Sequence, residues 1–262
     1  MERHVQTITP NAKIIFIIVF LFCFLSGNQI YGQEIKAHPH RSAYSSSTVT
    51  TDPRTFELEG GLTVNPDLQN TPVLLKYGIK PGLEVFTGIS PFVKLFNLGQ
   101  KGVGDLSLGT RCRFIASSDG ATSAGFQFIW KVPTANEHKG LGSGRSDFDL
   151  TVILSRSYSK YSIDANLGGF WAGIQSTSRF EKNIYGDLTV SRILKDRISM
   201  FVDGYTYRNF STDRTTLLGA IGIVYTVHPA FLLDLTTNIN IRNGPYNWQI
   251  LAGGVINLFG FK

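Results

Sequence analysis

From Arg54 to the C-terminus, apolar and polar residues alternate along the chain. In the run Asp147–Leu154, Asp147, Asp149 and Thr151 take one side, and Phe148, Leu150, Val152 and Leu154 take the other. A period of two marks a strand whose two faces meet different surroundings. No segment beyond the N-terminus has a helical period. The pattern predicts strands over 55–64, 71–79, 83–90, 104–115, 123–132, 146–155, 161–171, 183–193, 198–208, 215–226, 231–241 and 247–259.

The connections alternate in length. Lys80-Pro81-Gly82, Ser117–Gly120, Tyr158–Lys160, Leu194–Asp196 and Val227–Pro229 are tight. Asn65–Asn70, Pro91–Val103, Pro133–Arg145, Ala172–Lys182, Asn209–Arg214 and Arg242–Tyr246 are mostly longer. Short turns at one end, longer loops at the other and an even strand count are the habit of outer-membrane barrels. Prolines avoid central strand positions, where they would remove a ladder donor; Pro72 lies near a strand end.

One face carries Phe56, Leu58, Leu62, Leu75, Tyr77, Leu106, Leu108, Phe126, Phe128, Leu167, Ile221, Leu233 and Leu235. Trp130, Trp171, Tyr225 and Trp248 sit near strand ends, where an aromatic girdle belongs. The other face carries Glu57, Glu59, Asp105, Arg111, Arg113, Lys131, Asp147, Asp149, Asp164, Asp187, Asp203 and Asp234. Parity alone also fits a soluble sandwich with its apolar faces turned inward. Strands of about ten residues, against ~5–6 in soluble sheets, and the loop rhythm favour a closed membrane sheet. The fold expected is all-β: an antiparallel up-and-down transmembrane β-barrel of about twelve strands, spanning residues 54–262.

The N-terminus supports a membrane destination. Lys13 precedes an unbroken apolar run from Ile14 to Leu25, followed by Ser26, Gly27 and Gly32. The run is short for a membrane span of ~20 residues and has the order of a secretory signal peptide. Residues 1–32 are expected to be a cleaved leader, and residues 33–53, rich in Ser and Thr, a periplasmic linker. No plug domain is expected in so short a stretch. Removing residues 1–32 takes away Glu2, Arg3 and Lys13, a net charge of +1, and lowers the formal charge from +6 to +5. The cations are scattered, which excludes a nucleic-acid surface. Mean hydropathy is near zero, unlike a helical membrane protein. Cys112 alone remains after the leader, so no internal disulfide forms, and its parity points outward.

Chemistry-bearing motifs are few. His38 and His40 lie in the linker and give no fixed metal geometry. His138 is near Ser143, Ser146 and Asp147 in sequence, a set that a lipid-hydrolysing barrel would need. Yet Gly140–Gly144 does not place its serine as a nucleophile elbow does. No catalytic residue, metal or cofactor is expected. The twelve charged positions instead form the candidate solute path. Asp147 and Asp149 are expected to meet Arg111, Arg113 or Lys131 across neighbouring strands. Acids and bases concentrate on different strands, which would set up a field across the lumen.

The stretches Gly102-Val-Gly-Asp105-Leu-Ser-Leu-Gly109, Phe128–Thr134 and Lys139–Gly144 resemble a transporter-like outer-membrane family named for the meta-pathway of phenol degradation. Ala135 stands where that family has glycine after its Pro-Thr corner. The resemblance covers most of residues 55–262. It implies a passive channel for small solutes, hydrophobic or aromatic ones among them, and brings no catalytic residues. The expectation is a monomer in the outer membrane, with lipid and a small-molecule solute as partners. A barrel enzyme acting on lipids and a structural barrel with a blocked lumen are the alternatives.

Overall fold

The computed structural model describes residues 37–40, 43–175 and 177–258. The expected leader and the end of the twelfth expected strand lie outside them. Twelve long strands form the wall: β1 (Phe56–Val64), β3 (Val73–Lys80), β4 (Leu83–Ile89), β7 (Leu106–Ala116), β8 (Thr122–Val132), β9 (Asp147–Tyr158), β10 (Tyr161–Gly173), β11 (Phe180–Lys195), β12 (Ile198–Asn209), β13 (Arg214–His228), β14 (Phe231–Arg242) and β15 (Trp248–Asn257). Three short strands, β2 (Leu68–Asn70), β5 (Val93–Leu95) and β6 (Gln100–Gly102), lie at the loop end.

Successive long strands pair antiparallel, and β15 pairs back onto β1 from Glu57 opposite Asn257 to Val64 opposite Ile250. The ring is therefore closed. Closure gives every wall strand a partner on both sides, which hydrocarbon demands because it offers backbone groups no hydrogen bond.

Two expected loops contain strands. The lower part of β1 pairs with β3, but Pro72 carries no N–H, and above it β1 continues its ladder with β2, Thr63 opposite Asn70. The Pro72 carbonyl still accepts from Gly61 N–H at 3.1 Å. β5 pairs with both β2 and β6, raising the wall as a hairpin. Several strands also run past their expected ends, β11 furthest, over 16 residues. Register shifts cluster at the turn end, at Gly78/Lys80, Arg113/Ile115, Ile193/Lys195 and Thr226/His228. Each extra residue bends its strand into the turn. This is why Phe114 and Ile115, adjacent in sequence, are both exposed.

The apolar face points outward. Leu58, Leu150, Leu154, Leu167 and Leu235 are exposed on the outer wall, where lipid rather than water meets them. Trp130, Trp171 and Trp248 ring the loop end, and Tyr158 and Tyr225 the turn end. Cys112, opposite Leu83 and Phe126, lies on this outer parity and forms no disulfide. The polar face points inward and is buried to an unusual degree. Glu57, Lys76 and Glu84 are 0% exposed, and Glu59 and Arg111 1%. A water-filled lumen would leave such side chains wet. Something covers them.

Candidate functional site

The cover is the segment expected to be a periplasmic linker. Its described part, residues 37–40 and 43–53, runs inside the barrel. Ala37 N–H donates to the Pro229 carbonyl at the turn end at 3.2 Å. The segment climbs past Glu57, to which His38 N–H donates, and Glu59, which accepts His40 N–H at 2.9 Å. It reaches Asp203 and Tyr246 at Tyr44, then descends. Ser46 Oγ and the Val49 carbonyl accept from the Arg111 guanidinium at 3.0 and 3.3 Å. Thr48 N–H donates to Ser155 Oγ, and its hydroxyl lies 2.5 Å from Ser123 Oγ. Thr51 N–H donates to Glu84 at 2.7 Å. The chain leaves over Gly78, whose carbonyl accepts Arg54 N–H at 2.7 Å, and enters β1.

The strap is not a domain, and it has no secondary structure beyond a bridge at Pro53. The backbone N–H groups of His38, His40, Tyr44, Ser45, Thr48 and Thr51 donate to wall side chains, the kind of partner a buried irregular segment requires. Its small residues fit the space. Ala37 packs on Phe201, Val224, Leu232 and Val255, an apolar pad inside the barrel, with Ala43 beside it. Two cavities flank it, of about 300 and 460 Å³. The first, towards the loops, is lined by Leu74, Phe86, Ser107 and Ile129 over His40 and Ser46. The second, towards the turns, is lined by Arg113, Ser157, Asp164 and Phe201 under Ala43 and Thr48. They share no lining residue.

The predicted charged positions divide into four groups. Beneath the strap, Lys76 Nζ sits 2.8 Å from Glu57 and 3.5 Å from Glu59, and also meets the His38 carbonyl. Glu84 faces His40 Nε2 at 2.9 Å and Arg111 at 3.7 Å. Arg111 also holds Gln127 Oε1 at 2.6 Å. It does not meet Asp147 or Asp149, as expected from sequence, because Glu84 on the adjacent β4 and the strap take its donors.

At the loop end, Lys131 joins Asp147 at 2.7 Å and Asp105 at 3.2 Å. Asp105 also accepts Thr134 and Ala135 N–H at 2.9 and 2.8 Å, and Asp147 accepts Gly173 N–H at 2.8 Å. These two acids brace the corner after Pro133 and the rim. Arg113 stands in the turn-side cavity. The remaining acids line the wall from β9 to β14: Asp149, Asp164, Asp187, Asp203 and Asp234. Asp149 accepts from Thr151 and Tyr185 hydroxyls at 2.8 and 2.9 Å, Asp164 from Ser155, and Asp187 from Asn166 at 2.6 Å. Asp203 accepts from the strap. The hydrogen bonds to Asp149, Asp164, Asp187 and Asp203 come from hydroxyls and amides. The ion pairs of Lys76, Arg111 and Lys131 thus gather on one side of the ring, and on the other Asp149, Asp164, Asp187 and Asp203 are met by hydroxyls and amides.

Four groups were missed by sequence reading. Lys76 and Glu84 follow the inward parity, Lys76 between Leu75 and Tyr77 and Glu84 between Leu83 and Val85, and could have been found. Gln127 also follows parity but carries no charge to draw notice. The tyrosine cluster, Tyr44, Tyr185, Tyr205 and Tyr207, needs the strap's position to be seen at all. The set His138, Ser143, Ser146 and Asp147 does not assemble. Ser143 Oγ meets Lys131, Ser146 Oγ accepts from the Trp130 indole, and no hydrogen bond found among the described residues joins His138 to any of them. Nor do the described residues gather a metal-binding group.

Residues 59–258 match the model of the family described as "Putative MetA-pathway of phenol degradation". No curated protein matches the chain. Among solved structures, the NanC porin superposes with a TM-score of 0.56 at 10% identity, covering 77% of this chain and 98% of its own. The KdgM porin superposes at 0.54 and 6%, covering 76% and 98%; a second structure of it contains disordered oligogalacturonate. At such identities the likeness is one of fold, that of an outer-membrane β-barrel.

Proposed function

This chain belongs to the phenol-degradation outer-membrane family whose model spans its barrel, and from that premise we propose that it is a passive channel for small solutes, held nearly shut by its own N-terminal strap. The observation that carries the reading is the strap itself. A closed barrel with a polar, charge-lined interior has the build of a conduit, and its interior is divided in two where the strap crosses. The loop end faces outside and the turn end faces the periplasm, following the habit of such barrels. Solute would enter the loop-side cavity, where Leu74, Phe86 and Ile129 offer an apolar surface beside Arg111. Small hydrophobic or aromatic solutes suit that lining. The porin neighbours support a channel over an enzyme, and Ser143, Ser146 and Asp147 are engaged by Lys131 and Trp130 rather than by His138, which gives the hydrolytic alternative no foothold.

Planar-bilayer recording tests this. Wild-type protein should give infrequent openings of low conductance. A bilayer that stays closed both for the wild type and for a variant lacking residues 37–51 would sink the channel reading. Lipid hydrolysis by the purified barrel would replace it with an enzyme.

The acidic wall sets the selectivity. Asp149 and Asp187 are held by neutral groups, Thr151, Tyr185 and Asn166, so the open path should prefer cations. The double variant Asp149→Asn/Asp187→Asn should shift the reversal potential in a KCl gradient towards zero. Asp147→Ala should leave it nearly unchanged, because Lys131 already balances that charge. Equal shifts from both would contradict this division of roles.

A further inference from the structure

The tip of the strap makes contacts that resemble those of a bound ligand. The Tyr44 ring stacks on Tyr205 with centroids 4.9 Å apart and planes 22° apart. Its hydroxyl meets the Tyr246 hydroxyl. Its backbone N–H donates to Asp203 Oδ2 at 2.6 Å, and Ser45 N–H donates to the same oxygen at 3.1 Å. Tyr205 also touches Tyr185 and Tyr207, at 5.7 and 5.8 Å between centroids. So three features of the wall each read one part of Tyr44: an aromatic face for the ring, a hydroxyl for the hydroxyl, and a carboxylate for the nitrogen.

Nothing in that receptor needs the rest of the strap. Asp203 is 1% exposed, and the groups that meet its carboxylate are neutral: the two strap amides and the Thr189 hydroxyl. An ammonium would satisfy it better, since charge-assisted hydrogen bonds are the stronger kind. The ring of such a cation would lie against Tyr205, and the neighbouring Asp187 carries the same sign as Asp203. A carboxylate-bearing ring would be repelled by both.

We propose that this is a binding site for phenolic amines, and that Tyr44 holds the solute's place while the channel is shut. Tyramine reproduces Tyr44 from hydroxyl to nitrogen and replaces the amide by an ammonium. The strap is tethered to β1, so Tyr44 competes at an effective concentration that short linkers bring to roughly millimolar. Solute above that level displaces it, and binding and opening become one event. This rests on the channel reading for its consequence but not for its test, since binding is measured without a membrane current.

The test is calorimetric titration of the full barrel in detergent, with folding checked by heat-modifiable gel mobility. Tyr44→Ala vacates the site and should bind tyramine at least about tenfold more tightly than the wild type. Tyr44→Ala/Asp203→Asn should lose at least about tenfold of that affinity. Tyr44→Ala/Tyr205→Ala should lose a comparable amount, as stacking is removed. 4-Hydroxyphenylacetate should bind Tyr44→Ala more weakly than tyramine does. Equal tyramine binding by wild type and Tyr44→Ala, or affinity indifferent to Asp203→Asn, would overturn the proposal. Should the variants misfold, wild type alone decides: tyramine must make Tyr44 accessible to tetranitromethane nitration, read by peptide mass, and protection unchanged at saturating tyramine would overturn it. Binding without any conductance would leave this site standing and remove the channel.

Discussion

Deleting residues 37–51 should raise single-channel conductance at least about tenfold, because pore resistance is set by its narrowest section and the strap is that section. The wall does not depend on the strap for its ladder: β1 is paired on both sides, by β15 and by β3 and β2. A point substitution reaches the same end without shortening the chain. A Cβ at Gly78 would lie 2.2 Å from the Asp52 carbonyl oxygen and 2.5 Å from that of Thr51. Gly78 is part of β3, where the wall is held, so the strap has to give way. Gly78→Val should therefore open the channel as the deletion does, while heat-modifiable mobility shows a folded barrel. Unchanged conductance in both variants would mean that the path is blocked elsewhere or that no path exists.

Lys76→Met should cost about 3–5 kcal/mol of barrel stability, the range found when one member of a buried ion pair is removed. Lys76 and Glu57 are 0% exposed and 2.8 Å apart, with Glu59 at 3.5 Å. The variant keeps the volume and strands a carboxylate away from water. The Lys76 ammonium also holds the His38 carbonyl of the strap, so the strap should loosen and conductance should rise as stability falls. Adding Glu57→Gln removes the stranded charge and should recover part of the loss. The midpoint of urea unfolding in detergent reads both effects. A single variant as stable as wild type, or no recovery in the double variant, would contradict this view of the buried cluster.

The barrel was legible because its signal is repeated. Phe148, Leu150 and Val152 against Asp147, Asp149 and Thr151 state which face meets lipid, and other strands repeat the statement. The rim was less legible: Val93 and Leu95 alternate around Lys94, but three residues are too few to separate a strand from a loop. The strap was not legible, for a physical reason. The interior of a barrel is polar, so a segment that fills it needs serines, threonines and small residues, which is also the composition of a linker. Composition cannot tell the two apart. The nearest signal was indirect. Glu57, Glu59, Lys76, Glu84 and Arg111 crowd one level of the interior, three acids against two bases, which is more charge than a plain water-filled lumen needs at one height. Asp147 meets Lys131, one of the partners the sequence offered, and Asp105 lines the loop-side cavity; what the sequence did not show is their place at the rim. Their inward parity is right, but they lie at the rim, where backbone amides of Gly173, Thr134 and Ala135 claim them.

The central claim is that the N-terminal strap docks inside the barrel and closes it. Thr48 and Ser123 bring their hydroxyls within 2.5 Å of each other, one on the strap and one on β8. The paired variant Thr48→Cys/Ser123→Cys should form a disulfide under mild oxidation in intact outer membranes. In single-channel recording the oxidised protein should stay shut, and openings should return when a reductant is added to the same bilayer. A folded barrel whose two cysteines never cross-link, or whose conductance is the same oxidised and reduced, would contradict it.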